Sequence, residues 1–176
     1  RRRQFWWRRR IRKVVIMQKM KRLWQHLKPN RYRAQFGPVL TKTLSNVIAK
    51  AEQGHRGEIR LVIESRLPST LIWENTTPRA RAIDWFSQLR VWDTEGNTGI
   101  LLYLLLAENQ LELVADRGIA SKVPQTQWEA ICAQLQSHLA KHEIEIGLKT
   151  TISQLGQLLQ QHFPLENTQS NPNELS

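Results

Sequence analysis

The sequence is poor in cysteine and in long apolar runs, and each shortage excludes a class of protein. Cys132 is the only cysteine among 176 residues, so no disulfide can form within the chain and nothing favours an oxidising compartment. No apolar run approaches the roughly 18–20 residues that a membrane-spanning helix needs. The run VVIM at 14–17 is shorter than the apolar core of a secretory signal, which has about 7–15 residues. The expected location is the cytoplasm, with the inner membrane surface as a peripheral site.

Sequence signatures of several enzyme classes are missing as well. The chain has no glycine loop ending in Gly-Lys-Ser/Thr, no G-x-G-x-x-G and no nucleophile elbow. Cys132 lies on a predicted apolar helix face, where a free cysteine usually packs, so it is not expected to be a nucleophile. His138 and His142 are four residues apart without the glutamate of an H-E-x-x-H motif, which favours two exposed histidines over a metal pair. No catalytic residue is assigned.

Acidic side chains are absent from the first 51 residues. This segment holds 16 of the 26 Lys and Arg and none of the 15 Asp and Glu, so the rest of the chain has 10 basic against 15 acidic side chains. A net charge of +11 would point to polyanions as partners of the whole protein if it were spread evenly. Because it is confined to one end, it is a property of the N-terminal segment alone.

Residues 1–37 are predicted to be a basic, amphipathic leader. Four apolar side chains in its second half recur at helical spacing: Met20, Leu23, Trp24 and Leu27. They predict a helix that ends before Pro29. The segment docks on its own domain with solvated charges or is partly disordered, it lies on an anionic bilayer, or it binds RNA by stacking Arg and Trp on bases, and these alternatives stay open. The side chains expected to contact membrane or nucleic acid are Arg8, Arg9, Arg10 and Trp24.

The rest of the chain alternates helical and strand patterns. The predicted elements are a helix after Pro38, a strand at 57–65, a helix capped by Thr77, strands at 99–107 and 110–116, and two helices with apolar stripes from Trp128 to Leu139 and from Ile144 to Leu159. A β-α-β crossover followed by an antiparallel hairpin strand predicts an α/β fold, with a small mixed sheet flanked by helices. The domain is predicted to span residues 38–163, and residues 164–176 are predicted to be a disordered tail.

Side chains that carry oxygen ligands fall at one predicted edge of this sheet. Asp93, Glu95 and Asn97 occupy alternate positions in the loop before the central strand, and Asp116 ends the neighbouring antiparallel strand. The start of a strand and the end of its antiparallel neighbour lie at the same edge, and Glu58 joins them if the first strand is parallel. Carboxylate and amide oxygens suit a hard cation such as Ca²⁺ or Mg²⁺. Turn and capping roles for the same residues are the alternative.

Three blocks of the sequence together resemble the TPM domain family. They are HRGEIRLVIE at 55–64, RAIDWFSQLRVWDTEGNTGILLYLLLAENQLELVADRGI at 81–119 and WEAICAQL at 128–135. The middle block has the family's order of loop, apolar strand and D-R-G-I, although Thr98 stands between Asn97 and Gly99 where many members have Asn-Gly. The likeness is to the short bacterial single-domain members. Similar short proteins start near Met17 or Met20, which favours residues 1–16 as an upstream extension.

The resemblance implies a sheet flanked by helices and a metal ion, calcium in particular, at the acidic edge. By that likeness Asp93, Asn97 and Asp116 are the positions to examine, with Glu58 and Arg117 beside them. Phosphatase activity belongs to the family name, and plant members include a thylakoid acid phosphatase.

Three functional hypotheses follow. The first is an interaction or assembly module that binds another protein and holds a divalent cation at the sheet edge. The second is a metal-dependent phosphomonoesterase in which Asp93 and Asp116 hold the ion and Arg117 contacts phosphate. The third is a basic anchor for lipid or nucleic acid, provided by the leader.

Overall fold

The structure is a computed structural model that describes residues 17–29 and 34–165. Arg8, Arg9 and Arg10 lie outside the described residues, as do the other positions of the segment 1–16 and residues 166–176. The predictions made for those side chains and for most of the tail therefore stay predictions.

Within the described ranges, seven helices and three strands follow one another. They are α1 (residues 17–27), α2 (Pro38–Ala51), β1 (Ile59–Glu64), α3 (Ser69–Trp73), α4 (Pro78–Gln88), β2 (Ile100–Leu105), β3 (Gln110–Ala115), α5 (Arg117–Ala120), α6 (Gln125–Ala140) and α7 (Ile144–His162). The predicted helices and strands are confirmed. The short helices α3 and α5 were not predicted, because neither is long enough to establish an apolar stripe.

The sheet is mixed, with the strand order β1-β2-β3. β1 and β2 are parallel, with Ile59 opposite Ile100, whereas β2 and β3 are antiparallel, with Ile100 opposite Ala115. All six residues of β2 are buried, as its continuous apolar run predicts for a central strand covered on both faces. The α/β fold with a β-α-β crossover and an antiparallel hairpin strand is thus confirmed.

Helices cover both faces of the sheet, and the period-two alternation of the strands divides the core between them. On one face, Leu102 and Leu104 pack with apolar side chains of α2, α6 and α7. On the other face, Leu101 and Tyr103 pack with side chains of α3 and α4, including Ala82. The sheet therefore lies in the middle of three layers.

Two local features of the ends match their sequence patterns. Thr77 caps α4 as predicted, since its Oγ1 accepts a hydrogen bond of 3.1 Å from the Ala80 N–H, with Pro78 at the first helical position. Pro164 pairs with His55 in an isolated bridge, and the Leu165 N–H donates to the Gly54 carbonyl. Of the predicted tail, Leu165 is therefore hydrogen-bonded to the domain and Pro164 lies opposite His55. No helix in the described part of the chain has the length and apolar character to cross a bilayer.

Candidate functional site at the amino-terminal edge of the sheet

Strand direction brings two of the predicted acidic residues into one row at the edge where β1 and β2 begin. The Ile100 N–H donates to the Glu58 carbonyl at 2.9 Å, and the Asp116 N–H donates to the Gly99 carbonyl at 2.9 Å. Glu58, Gly99 and Asp116 therefore lie side by side across the three strands. The next row, which contains Ile59, packs against α6 and α7, so alternation places the acidic row on the face of α4.

Gly99 at the centre of this row allows a close approach of the chain that leaves α4. A Cβ atom at Gly99 would collide with the carbonyl oxygen of Val91. That carbonyl oxygen occupies the place of the missing side chain, between Glu58 and Asp116. The row thus combines two carboxylates with a backbone oxygen, which are ligand types of hard divalent cations.

Asp116 is the most informative side chain of the row. It is only 8% exposed, and its Oδ1 accepts a 2.7 Å hydrogen bond from the Arg117 N–H, which caps α5. Its Oδ2 is buried without a hydrogen-bond partner. Leaving a carboxylate oxygen buried and unsatisfied is costly, whereas a cation or a water molecule would satisfy it.

The loop before β2 lies directly on the start of α5. A Cβ atom at Gly118 would collide with the carbonyl oxygens of Gly96 and Asn97, and the Ile119 N–H donates to the Asn97 carbonyl at 3.3 Å. Gly96 and Asn97 both have left-handed backbone conformations, with φ values of 82° and 54°, which glycine and asparagine tolerate best. The loop therefore presents backbone oxygens to the segment that follows Asp116.

The predicted ligands on the loop, and the predicted phosphate contact, lie at the surface. Asp93, Glu95 and Asn97 are exposed, and so is Arg117. Over residues 17–29 and 34–165, no group of three or more His, Cys, Asp or Glu is placed to hold a metal ion. A cation at this edge would thus depend on Asp116, backbone oxygens and water more than on a cluster of acids.

Thr98, which sequence reasoning left unassigned, is buried and ties the loop to the sheet. Its N–H donates to Thr94 Oγ1 at 2.9 Å, and its hydroxyl donates to the Arg56 carbonyl at 3.2 Å. Thr98 is also the position at which the sequence departs from the family's Asn-Gly. The spacing of the two threonines, four residues apart in a turn, was the available signal.

A second polar cluster, at the opposite end of the same sheet face, was also missed. Glu64 accepts two hydrogen bonds from the Arg81 guanidinium, at 2.8 and 3.0 Å, one from the Tyr103 hydroxyl at 2.7 Å and one from the Trp85 indole at 3.3 Å. Burial raises the pKa of Glu64, but these hydrogen bonds outweigh it and hold that pKa below its ordinary value. Burial, followed by the bond to Glu64, raises the pKa of Tyr103. The tyrosine in the run ILLYLL could have indicated this cluster, because a buried hydroxyl group needs a hydrogen-bond partner.

The other residues considered in the sequence lie away from this edge of the sheet or in unreactive surroundings. Cys132 is half-buried, and burial, with Glu112 nearby, raises the pKa of its thiol, which disfavours the reactive thiolate. His138 Nδ1 lies 2.8 Å from Glu143 Oε2. His142 lies beyond the end of α6 in a left-handed conformation, so the two histidines do not share a helix face. Trp24 is exposed on α1.

Comparison with known proteins identifies the family and the fold. A family model for the TPM domain matches residues 32–158, and the chain belongs to the TPM domain family. Its fold is similar to the NMR structure of the BA42 protein from the psychrophilic bacterium Bizionia argentinensis, with a TM-score of 0.68 and 24% identity over 80% of this chain and 93% of that one. It is also similar to the N-terminal domain of a P. gingivalis protein, with a TM-score of 0.58 and 15% identity over 75% and 83% of the two chains. No curated protein matches the sequence.

Proposed function

We propose that this protein is an interaction module that binds a divalent cation at the amino-terminal edge of its sheet, with calcium as the preferred ion. The buried Oδ2 of Asp116, which has no hydrogen-bond partner, carries the proposal. A negative charge held out of water needs a counter-charge or donors. A hard cation would supply both positive charge and a coordination position for that oxygen.

The proposed ligands are the oxygen atoms around Asp116. Asp116 is the inner ligand, and Glu58 stands across Gly99 in the same row. The exposed Asp93, Glu95 and Asn97 are the proposed ligands from the solvent side, where side chains on a loop can reorient at little cost. The cation would neutralise the acidic edge and fix the loop over it.

A surface next to this edge supports binding of another protein. Leu89 and Trp92, just after α4 and just before the loop, are 38% and 49% exposed. Exposed tryptophan beside a polar rim is typical of protein interfaces. Because the loop begins one residue after Trp92, an ion that orders the loop would also order this surface, so partner binding is expected to depend on the cation.

The test is titration of Ca²⁺ and Mg²⁺ by calorimetry, paired with thermal melting, on the full chain. We expect wild type to bind Ca²⁺ and to gain about 2.7 kcal/mol at a hundredfold excess over Kd. Asp116→Asn should lose binding yet remain folded, since asparagine caps helices as well as aspartate does. Without the ion this variant should be at least as stable as wild type, because it removes a buried charge.

The exposed carboxylate of Glu129 on α6 provides the matched control, and Glu129→Gln should bind Ca²⁺ as wild type does. Equal binding by Asp116→Asn and wild type, or no binding by wild type, would overturn the cation site. The phosphomonoesterase hypothesis is tested by measuring hydrolysis of para-nitrophenyl phosphate by the same proteins. Turnover by pure protein that is lost in both Asp93→Ala and Arg117→Ala would replace the interaction module by an enzyme.

A further inference from the structure

Helix α1 docks on its own domain through polar side chains. Arg22 Nε and His26 Nε2 each lie 2.7 Å from Glu108 Oε1. His26 is 3% exposed, and its Nδ1 accepts a 3.0 Å hydrogen bond from the Leu67 N–H. Lys19 Nζ donates to the Trp73 carbonyl at 2.6 Å. These contacts hold α1 across the end of the sheet that is opposite the acidic edge.

All the apolar side chains of α1 face solvent except Leu23, which packs against the core beside α3 and α4. Four of them are exposed: Met17 (66%), Met20 (42%), Trp24 (62%) and Leu27 (61%). At about 100° per residue they form one stripe, centred roughly 145° around the helix from the docked side chains of Lys19, Arg22 and His26. Contiguous apolar surface of this kind is costly in water and marks an interaction site. Within residues 17–29 and 34–165 no part of the domain buries this stripe, so it is available to a partner.

Charge around the stripe indicates what covers it. Lys21 and Lys28 are exposed on the same helix, and the first 51 residues contain no acidic side chain. Apolar and aromatic side chains flanked by cations match an anionic bilayer surface, where acyl chains meet negative head groups. A second copy would bring like charges together. Single-stranded RNA stacks on aromatic rings, and methionine and leucine offer none.

We propose that α1 binds anionic membrane surfaces with its exposed stripe, so that Met17, Met20, Trp24 and Leu27 enter the head-group region. Glu108, through Arg22 and His26, fixes the helix in this orientation before it meets lipid. The acidic edge lies at the other end of the sheet and then faces away from the bilayer. The proposal is independent of the cation site.

A fluorescent label at single positions tests the contact directly. In the full chain with Cys132→Ala, the label is attached at Trp24→Cys and, as control, at Gln157→Cys, an exposed residue of α7. The probe is vesicles of three parts phosphatidylcholine to one part phosphatidylglycerol. We expect a blue-shifted, several-fold brighter emission of an environment-sensitive dye at position 24 and no change at position 157. Vesicle binding without a change at position 24 would overturn the proposal and assign binding to residues 1–16.

Substitution of the stripe gives the second measurement. Met20→Ser, Trp24→Ser and Leu27→Ser are combined, and the control combines Val39→Ser, Ile83→Ser and Ile146→Ser, three apolar residues exposed elsewhere. At about 0.5 M salt, where charge attraction is screened, the stripe variant should bind vesicles about tenfold or more weakly than wild type, and the control as wild type. Equal loss in both variants, or a stripe that only supports self-association or RNA binding, would refute the proposal.

Discussion

Replacing Gly118 by alanine is expected to lower the free energy of unfolding by about 2–3 kcal/mol, because the new methyl group has no space. Its Cβ would collide with the Gly96 and Asn97 carbonyl oxygens, which belong to the backbone and cannot turn aside as a side chain can. Helix propensity alone predicts the opposite, a gain of about 1 kcal/mol for Gly→Ala within a helix such as α5. The sign of the change in unfolding free energy therefore shows whether the steric clash or the helix propensity is the larger effect.

Urea unfolding gives the free energy, and the melting temperature should fall by roughly 4–12 °C. Gly37→Ala is the matched control, since nothing lies within 4 Å of a Cβ at Gly37, and its change should stay within about 1 kcal/mol. A Gly118→Ala variant as stable as wild type would mean that the loop does not rest on α5. If the loop is displaced, the affinity for Ca²⁺ proposed above should fall with stability.

Most of the sheet was predictable because period and composition act locally. The run at β2 has no polar interruption except Tyr103, and only burial on both faces explains such a run. The alternating β3 and the cap at Thr77 are equally local. From these elements alone, the parallel pairing of β1 with β2 and the row of Glu58 with Asp116 follow by strand direction.

The docking of α1 was not predictable in the same way. Three residues of its exposed apolar stripe were recognised, but Leu23, which was predicted to share that stripe, packs against the domain. The contacting face also carries Arg22 and His26, whose common partner, Glu108, lies more than eighty residues away. Periodicity reports which face of a helix is apolar, and it contains no information about a distant carboxylate. The interpretation that the charges of a docked helix stay solvated was therefore wrong at Arg22, whose guanidinium pairs with Glu108 in a largely buried position.

The loop side chains escaped prediction for a conformational reason. Side chains at alternate positions lie on the same side of the backbone when the chain is extended. Here Gly96 and Asn97 adopt left-handed conformations. These conformations turn backbone oxygens onto α5 and leave the side chains exposed. Spacing in the sequence does not determine such dihedral angles. The ligand set of the proposed cation site therefore shifts from the loop acids toward Asp116.

Glu64→Gln is expected to lower the free energy of unfolding by about 3 kcal/mol. The substitution removes the charge of a carboxylate that accepts four hydrogen bonds in a largely buried cluster. The Arg81 and Glu64 side chains are 13% and 14% exposed, so Arg81 would keep its charge with a weaker partner. Glu112→Gln is the control. Its pair with Arg79 joins the same helix and sheet face at 3.6 Å but is far more exposed, and its loss should cost less than about 1 kcal/mol.

The pH dependence of stability identifies the charge of Glu64 as the cause. Because hydrogen bonds hold the pKa of Glu64 in the folded protein below its ordinary value, its stabilising contribution is complete above the unfolded pKa, about 4.3. The contribution is lost as the pH falls through the folded-state pKa. The difference between wild type and Glu64→Gln in urea unfolding should therefore shrink below about pH 4 and stay constant from about pH 6 to 8. A difference that persists unchanged at low pH would assign the loss to shape, since protonated glutamate and glutamine are both neutral.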